Sequence, residues 1–246
     1  MTDESSNPQS EKQAEARTKI LEAALSEFAE QGLAGARTER IAAAAGVNKA
    51  LLYYYFESKE KLYTAALELS AGRIRDASMA VFLRESTPGE RLVRTALNHF
   101  DRVVSQREFQ RLMQHEMVRL HKGESGGIDV IIKRVFTPLM TMYQALVREG
   151  IASGELIDVD WMQVHFATLG ANVFYFMTAP VWAKVLGIDP LEPEALKKRR
   201  EEVARYIGQT IFVDRKHGAE VAERVLADSP MPEVSVGWQQ SLWRNE

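Results

Sequence analysis

Cysteine is absent from the chain. That removes disulfides, thiolate metal ligands and thiol nucleophiles, and it fits a reducing compartment. An unbroken run of about 18 apolar residues, enough to cross a bilayer as a helix, is also missing, so no membrane association is expected. The opening stretch, Met1–Ala16, is polar, acidic and rich in Ser and Gln, without the apolar core of a secretion signal. The expected location is the cytoplasm. A basic excess is lacking too, the net charge being −3. Proteins that coat nucleic acid regardless of sequence neutralise many phosphates with such an excess, whereas a specific binder needs only a local basic face.

Catalytic signatures are equally sparse. The segment His115-Glu116-Met117-Val118-Arg119-Leu120-His121 comes nearest. A zinc hydrolase helix needs its histidines four apart, so that both reach one metal. The fourth position here is Arg119, and His121 falls on another face. Gly123–Gly127 lacks the lysine and spacing of a phosphate loop and reads as a flexible connection. Neither a Gly-x-Ser-x-Gly elbow nor a strand–Gly-rich–helix unit occurs. No enzyme activity, cofactor or metal is expected.

What is present is helical periodicity, carried by 246 residues of which 46% are hydrophobic, enough for a substantial core. From Arg17 to Gln31, the residues Ile20, Leu21, Ala24, Leu25, Phe28 and Ala29 share one helical face, and Gly32 suits the helix end. Thr38 is placed to cap a short helix holding Ile41, Ala44 and Ala45. Gly46-Val47-Asn48 forms a tight turn, Asn48 caps a helix from Lys49 to Tyr55, and Ser58 caps a longer one from Lys59 to about Arg84. Helices follow over Glu90–Ser105, Phe109–His121 and Ile128–Glu149, the last kinked or divided at Pro138. Val159–Leu186 is strongly apolar and interrupted by Pro180. A helix from Glu194 to about Lys216 ends the pattern, and beyond Gly218 the chain thins to a tail in which Trp238 and Trp243 still need packing partners. The fold class is all-α. The expected divisions are a disordered arm at 1–15, an N-terminal helical domain at 16–62, a larger helical domain at 63–217 and a tail at 218–246.

Residues 37–56, RTERIAAAAGVNKALLYYYF, meet the requirements of a helix-turn-helix. Ala42–Ala45 are small where two helices must cross, Gly46 tolerates the positive φ of the turn, and Val47, Leu52 and Phe56 supply apolar anchors. The exposed face of the second helix then offers Lys49, Ala50, Tyr53 and Tyr54. Residues at the start of such a helix meet base edges in the major groove. Ala50 permits close approach to a thymine methyl. Lys49 can donate to guanine or phosphate, the tyrosines to phosphates, and Lys59 stands at the next helix N-terminus, itself an anion site. A Tyr-rich turn can also be half-buried core. The amphipathic helix before it and the Ser58-Lys59-Glu60 cap after it favour DNA recognition.

The stretch from about Ala16 to Leu69 resembles the N-terminal domain of the TetR family of transcriptional regulators. AGVNKALLYYYFESKEKL is close to the family's usual AGVSKGTLYYHFPSKEAL, with Leu51 where Thr is common and Tyr55 where His is common. By matching position, the resemblance implies that Arg37, Thr38, Asn48, Lys49, Ala50, Tyr53, Tyr54 and Lys59 contact double-stranded operator DNA, with Arg40 a weaker candidate. Glu39 sits where an acid discourages phosphate approach. The implied function is a ligand-responsive repressor that binds a palindromic operator as a homodimer. An activator, or a non-sensing binding or scaffold protein of this fold, is the alternative.

The resemblance also implies a ligand-sensing and dimerisation domain in the remaining helices. An effector of apolar or aromatic character would sit among Phe100, Met113, Met117, Phe136, Met140, Tyr143, His165, Phe166 and Asn172, with Phe109, His99, His115 and Tyr175 as further candidates. Two long helices, about Asp160–Ala179 and Glu194–Val213, would pair with their copies through Ala167, Gly170, Ala171, Phe174, Val203, Tyr206, Ile207 and Ile211. Each of these apolar stripes fits the core of one subunit nearly as well.

Overall fold

A computed structural model describes residues 8–124 and 126–232; Trp238 and Trp243 lie outside the described residues. Among the described residues the regular elements are helices, and the one extended pairing is an antiparallel bridge between Leu156 and Phe212. The fold is all-α, as the periodicity requires. In chain order the helices are α1 (Pro8–Gly35), α2 (Thr38–Ala44), α3 (Lys49–Phe56), α4 (Lys59–Phe82), α5 (Pro88–Ser105) and α6 (Arg107–His121). They continue as α7 (Gly126–Ile131), α8 (Thr137–Ala152), α9 (Trp161–His165), α10 (Ala171–Leu186), α11 (Pro193–Thr210) and α12 (Arg215–Asp228).

The chain divides into two compact units. One holds α1–α3, α4 as far as Arg75, and Arg107–Thr137; the other holds Asp76–Gln106 and the chain from Pro138 onward. The N-terminal unit therefore extends past the expected 16–62, because α6 packs on α1. Ile20, Ala24 and Phe28 of α1, Leu62 and Tyr63 of α4, and Leu112 of α6 are all buried, and the rings of Phe28 and Tyr63 meet edge to face at 4.9 Å. Full burial of an aliphatic or aromatic side chain contributes about 1.5–3 kcal/mol, so this cluster holds the unit together. His115 of α6 completes it: its Nε2 lies 3.2 Å from the Ala29 carbonyl oxygen, and its ring packs against Gly32. Gly32 has φ 64 and kinks α1 where the sequence expects an end.

In the second unit α5, α10, α11 and α12 enclose a core that includes Phe100, Val104, Phe176 and Leu196. The guanidinium of Arg200 on α11 donates to both carboxylate oxygens of Asp101 on α5, at 2.7 and 2.8 Å. That arrangement satisfies a buried cation in the two-pronged geometry arginine favours.

Several expectations change. Residues 8–15 are helical and continuous with α1 rather than part of an arm. The tail is helical as far as Asp228: Asp214 caps α12 by accepting from the amides of Lys216 and His217, and Val221, Ala222 and Val225 are fully buried. That cap also ends the preceding helix at Thr210, short of Lys216. Thr38 does not cap α2. Arg37 holds the cap position without a side-chain bond, and Thr38 is buried in the first turn. Before Pro138 the helix widens into a π turn, Ile132–Phe136, closed by the Thr137 amide on the Ile132 carbonyl. Proline lacks an amide hydrogen and its ring clashes with the preceding turn, so the wider turn stands where a kink is expected. Pro180 lies inside α10 without ending it.

Candidate nucleic-acid interface

Gly46, at φ 67, makes the turn between α2 and α3, with its amide on the Ala43 carbonyl and that of Val47 on the Ala42 carbonyl. Ala42 and Ala45 are buried beneath the turn while Ala43 and Ala44 face out. Leu52 and Phe56 are buried, which fixes the roll of α3. Asn48 caps α3 as its position predicts, its Oδ1 accepting from the Leu51 amide at 2.7 Å. Ser58 caps α4 by accepting from the Lys61 amide at 3.1 Å. Between these helices Glu57 takes φ 61, a conformation L residues avoid, and its amide donates to the Tyr53 carbonyl at 2.8 Å. Nothing in the sequence marks Glu57 for this role.

With Leu52 and Phe56 inward, α3 turns Lys49, Ala50 and Tyr54 to solvent, and Tyr54 is 75% exposed. Tyr53 is half-buried. Its hydroxyl lies 3.3 Å from the Thr38 hydroxyl, and the Lys49 ammonium stands 5.7 Å from its ring centre. Thr38 is thus a support behind Tyr53 in the free chain. Lys49 forms an ion pair with Glu39 of α2, and their hydrogen bond holds the Glu39 carboxyl below, and the Lys49 ammonium above, its ordinary pKa. Arg37, at the cap of α2, and Arg40, on α2, are also exposed. Lys59 points elsewhere, donating to the Ala34 carbonyl at 3.2 Å. The structure therefore brings Arg37, Asn48, Lys49, Ala50, Tyr53 and Tyr54 to one helix-turn-helix, with Thr38 beneath and Lys59 turned to the end of α1.

The expected effector residues fall into both units. Met113 and Met117 lie on α6 and Phe136 in the π turn that follows α7. In the second unit Phe100 is core, Met140 is half-buried on α8 and Phe166 is exposed. Tyr143, His165 and Asn172 form a polar cluster there. The Tyr143 hydroxyl lies 3.2 Å from that of Thr168, the His165 ring stands edge-on to Tyr143 at 5.4 Å, and Asn172 is fully buried. His99 of α5 belongs with them, its Nδ1 3.5 Å from the Asn172 amide nitrogen. Burial pushes the His99 pKa down to about 3 and that of Tyr143 up to about 12, and it lowers that of His165.

The expected dimer residues also separate. Val203, Ile207 and Ile211 are buried within their own chain, because that face of α11 meets α5 and α12. They cannot meet a second copy. Phe174, Tyr206 and Ala167 are exposed, and Gly170 and Ala171 are half-buried. Met177, Val181 and Val185 continue the Phe174 stripe along α10 and are exposed as well. Beside that stripe a cavity of about 440 Å³ opens between α10 and α11, with Tyr175, Trp182, Leu186 and Arg199 among its walls.

Comparison with known proteins agrees with this architecture. Residues 20–66 match the family of bacterial regulatory proteins, tetR family, and residues 88–207 match the tetracyclin repressor-like C-terminal domain. The transcriptional repressor NicS of Pseudomonas putida is 28% identical over 160 residues, covering 65% of this chain and 74% of that protein. The repressor SCO4008 of Streptomyces coelicolor is 50% identical over 52 residues, 21% of this chain and 27% of that one. The crystal structure of a putative regulator from Saccharomonospora viridis in complex with choline shares the fold. Its TM-score is 0.66 at 18% identity, over 82% of this chain and 100% of that one.

Proposed function

This chain belongs to the TetR family of transcriptional regulators, a family of DNA-binding proteins and not of enzymes, and we propose that it is a ligand-responsive repressor acting as a homodimer on a palindromic operator. The observation that carries this reading is α3, which buries Leu52 and Phe56 and turns Lys49, Ala50 and Tyr54 outward from a glycine turn. In that reading the start of α3 enters the major groove. Ala50 approaches base edges, Lys49 and Tyr54 meet phosphates or bases, and Tyr53, braced by Thr38, donates to a phosphate. Asn48 caps the helix and faces the backbone beside it, and Arg37 lies at its flank. Lys59 serves only after it leaves the Ala34 carbonyl. Repression is supported by the two repressors whose sequences this chain resembles. The protein would work in the cytoplasm, where its operator lies.

The dimer reading rests on the exposed stripe Phe174, Met177, Val181 and Val185 of α10, with Tyr206 exposed on α11. An apolar surface of that kind is costly in water and marks an interaction face. A second copy there gives two recognition helices, and half-sites one turn apart need them about 34–36 Å apart. An effector that prefers another spacing lowers operator affinity by its differential binding, about 1–3 kcal/mol for typical coupling. Small-molecule binding is supported by the choline complex of a protein sharing the fold. Footprinting on DNA upstream of the gene tests the whole reading. The expected result is a protected inverted repeat bound by two chains; an asymmetric site bound by one chain contradicts it.

A further inference from the structure

A chemistry can be assigned to the effector itself, on the premise that the chain is ligand-responsive as proposed above. Buried polar atoms in proteins are nearly always hydrogen-bonded. Among the exceptions in the second unit are two close to one another, Oδ1 of Asn172 and Nδ1 of His165, both buried without a partner. The Asn172 amide nitrogen donates to the Ala96 carbonyl at 3.3 Å. Turning the amide over would set two carbonyl oxygens against each other, so the unpartnered atom is the acceptor. His99 links the two residues, reaching the Asn172 side chain on one side and lying within electrostatic reach of His165 on the other.

Two further features single out this place. Between His165 and Asn172 the backbone makes a second π turn, Phe166–Gly170, a device found disproportionately at functional sites because it re-aims side chains. His99 is also enclosed by protein, the main cause of its lowered pKa, yet keeps part of its surface accessible.

We propose that His99, Tyr143, His165 and Asn172 bound a crevice that binds an uncharged aromatic molecule carrying an O–H or N–H group, whose hydrogen is accepted by Asn172 Oδ1. The edge-on rings of Tyr143 and His165 supply contacts suited to a planar ring. A cation is disfavoured by the charge of Arg102, which acts on His99. An anion is disfavoured at an amide oxygen, which can only accept a hydrogen bond and has no donor to offer it.

Phenol is the probe, with toluene, benzoate and benzylammonium as the same ring without a donor, with a negative charge and with a positive charge. Binding to the full chain is read by calorimetry and by amide chemical shifts. The expected result is that phenol alone binds, with shifts centred on these residues. Its affinity falls about tenfold in Asn172→Leu, the worth of one lost hydrogen bond. His165→Phe, which keeps a ring in place, guards against a folding defect in the first variant. Toluene or a charged probe matching phenol overturns the proposal. So does no binding of phenol, or phenol binding unchanged in both variants. Operator affinity measured with the same probes separates the two readings. Operator release by benzoate without phenol binding overturns this chemistry and leaves the ligand-responsive reading standing. Phenol bound in the crevice with operator affinity unmoved supports the site and counts against that reading.

Discussion

The Lys49 ammonium and the Glu39 carboxylate form an ion pair across the outer face of the helix-turn-helix, so the leading cation of α3 is already engaged before DNA arrives. A phosphate must displace Glu39 to use it. Glu39→Gln is therefore expected to raise operator affinity several-fold and to steepen its salt dependence by about one phosphate contact. Lys49→Ala should do the reverse. Fluorescence anisotropy of a labelled operator at several salt concentrations checks both. Equal slopes for the wild type and the two variants would separate Lys49 from the phosphates.

The exposed stripe on α10 carries the dimer expectation. Val181→Glu places a charge on that face without touching the core, since Val181 is 56% exposed. The variant should melt as the wild type does, sediment as a monomer at micromolar concentration and bind the operator about a hundredfold more weakly, because the second half-site is no longer tethered.

Helices α11 and α12 cross where Gly208 meets Gly218. A Cβ added to Gly218 would stand 2.0 Å from the Gly208 carbonyl oxygen, which is backbone and cannot swing aside. Gly218→Ala is expected to cost about 1–3 kcal/mol, the range for overpacking. Urea unfolding measures it. A neutral result would mean that the two helices separate freely.

His99 gives the fold an acid limit. Its pKa falls from 6.5 to about 3 on folding. The unfolded chain therefore binds a proton between those values that the folded chain refuses. Stability from this source is complete above pH 6.5 and declines as pH falls below it, by at most about 1.4 kcal/mol per pH unit. His99→Gln should flatten the decline between about pH 6.5 and pH 5 by up to one proton's worth, read from denaturation midpoints across that range.

Periodicity and capping made the architecture and the recognition helix legible. The inward set on α1, the Gly46 turn, the Asn48 cap and the exposed Lys49 and Tyr54 all follow from local rules that tertiary packing did not override. What eluded sequence reasoning depends on a neighbour. Val203, Ile207 and Ile211 read equally well as an interface or as core until α12 is seen covering their helix, and α12 itself was signalled by Asp214 and by the spacing of Val221, Ala222 and Val225. Likewise, Thr38 has the residue type of a cap, yet its hydroxyl is drawn to Tyr53, a contact that sequence spacing does not reveal. The pairing of Glu39 with Lys49 and the strained Glu57 belong to the same class, since both depend on the angle between helices.

The central claim is that α3 reads DNA, and operator binding by the Lys49→Ala/Tyr53→Ala double variant tests it most directly. Lys49 is exposed and Tyr53 half-buried, so the double variant should still fold cooperatively, with only a modest fall in melting temperature. The account predicts a folded protein that no longer retards its own promoter fragment at concentrations that saturate the wild type. A folded double variant that binds the fragment with wild-type affinity would contradict it.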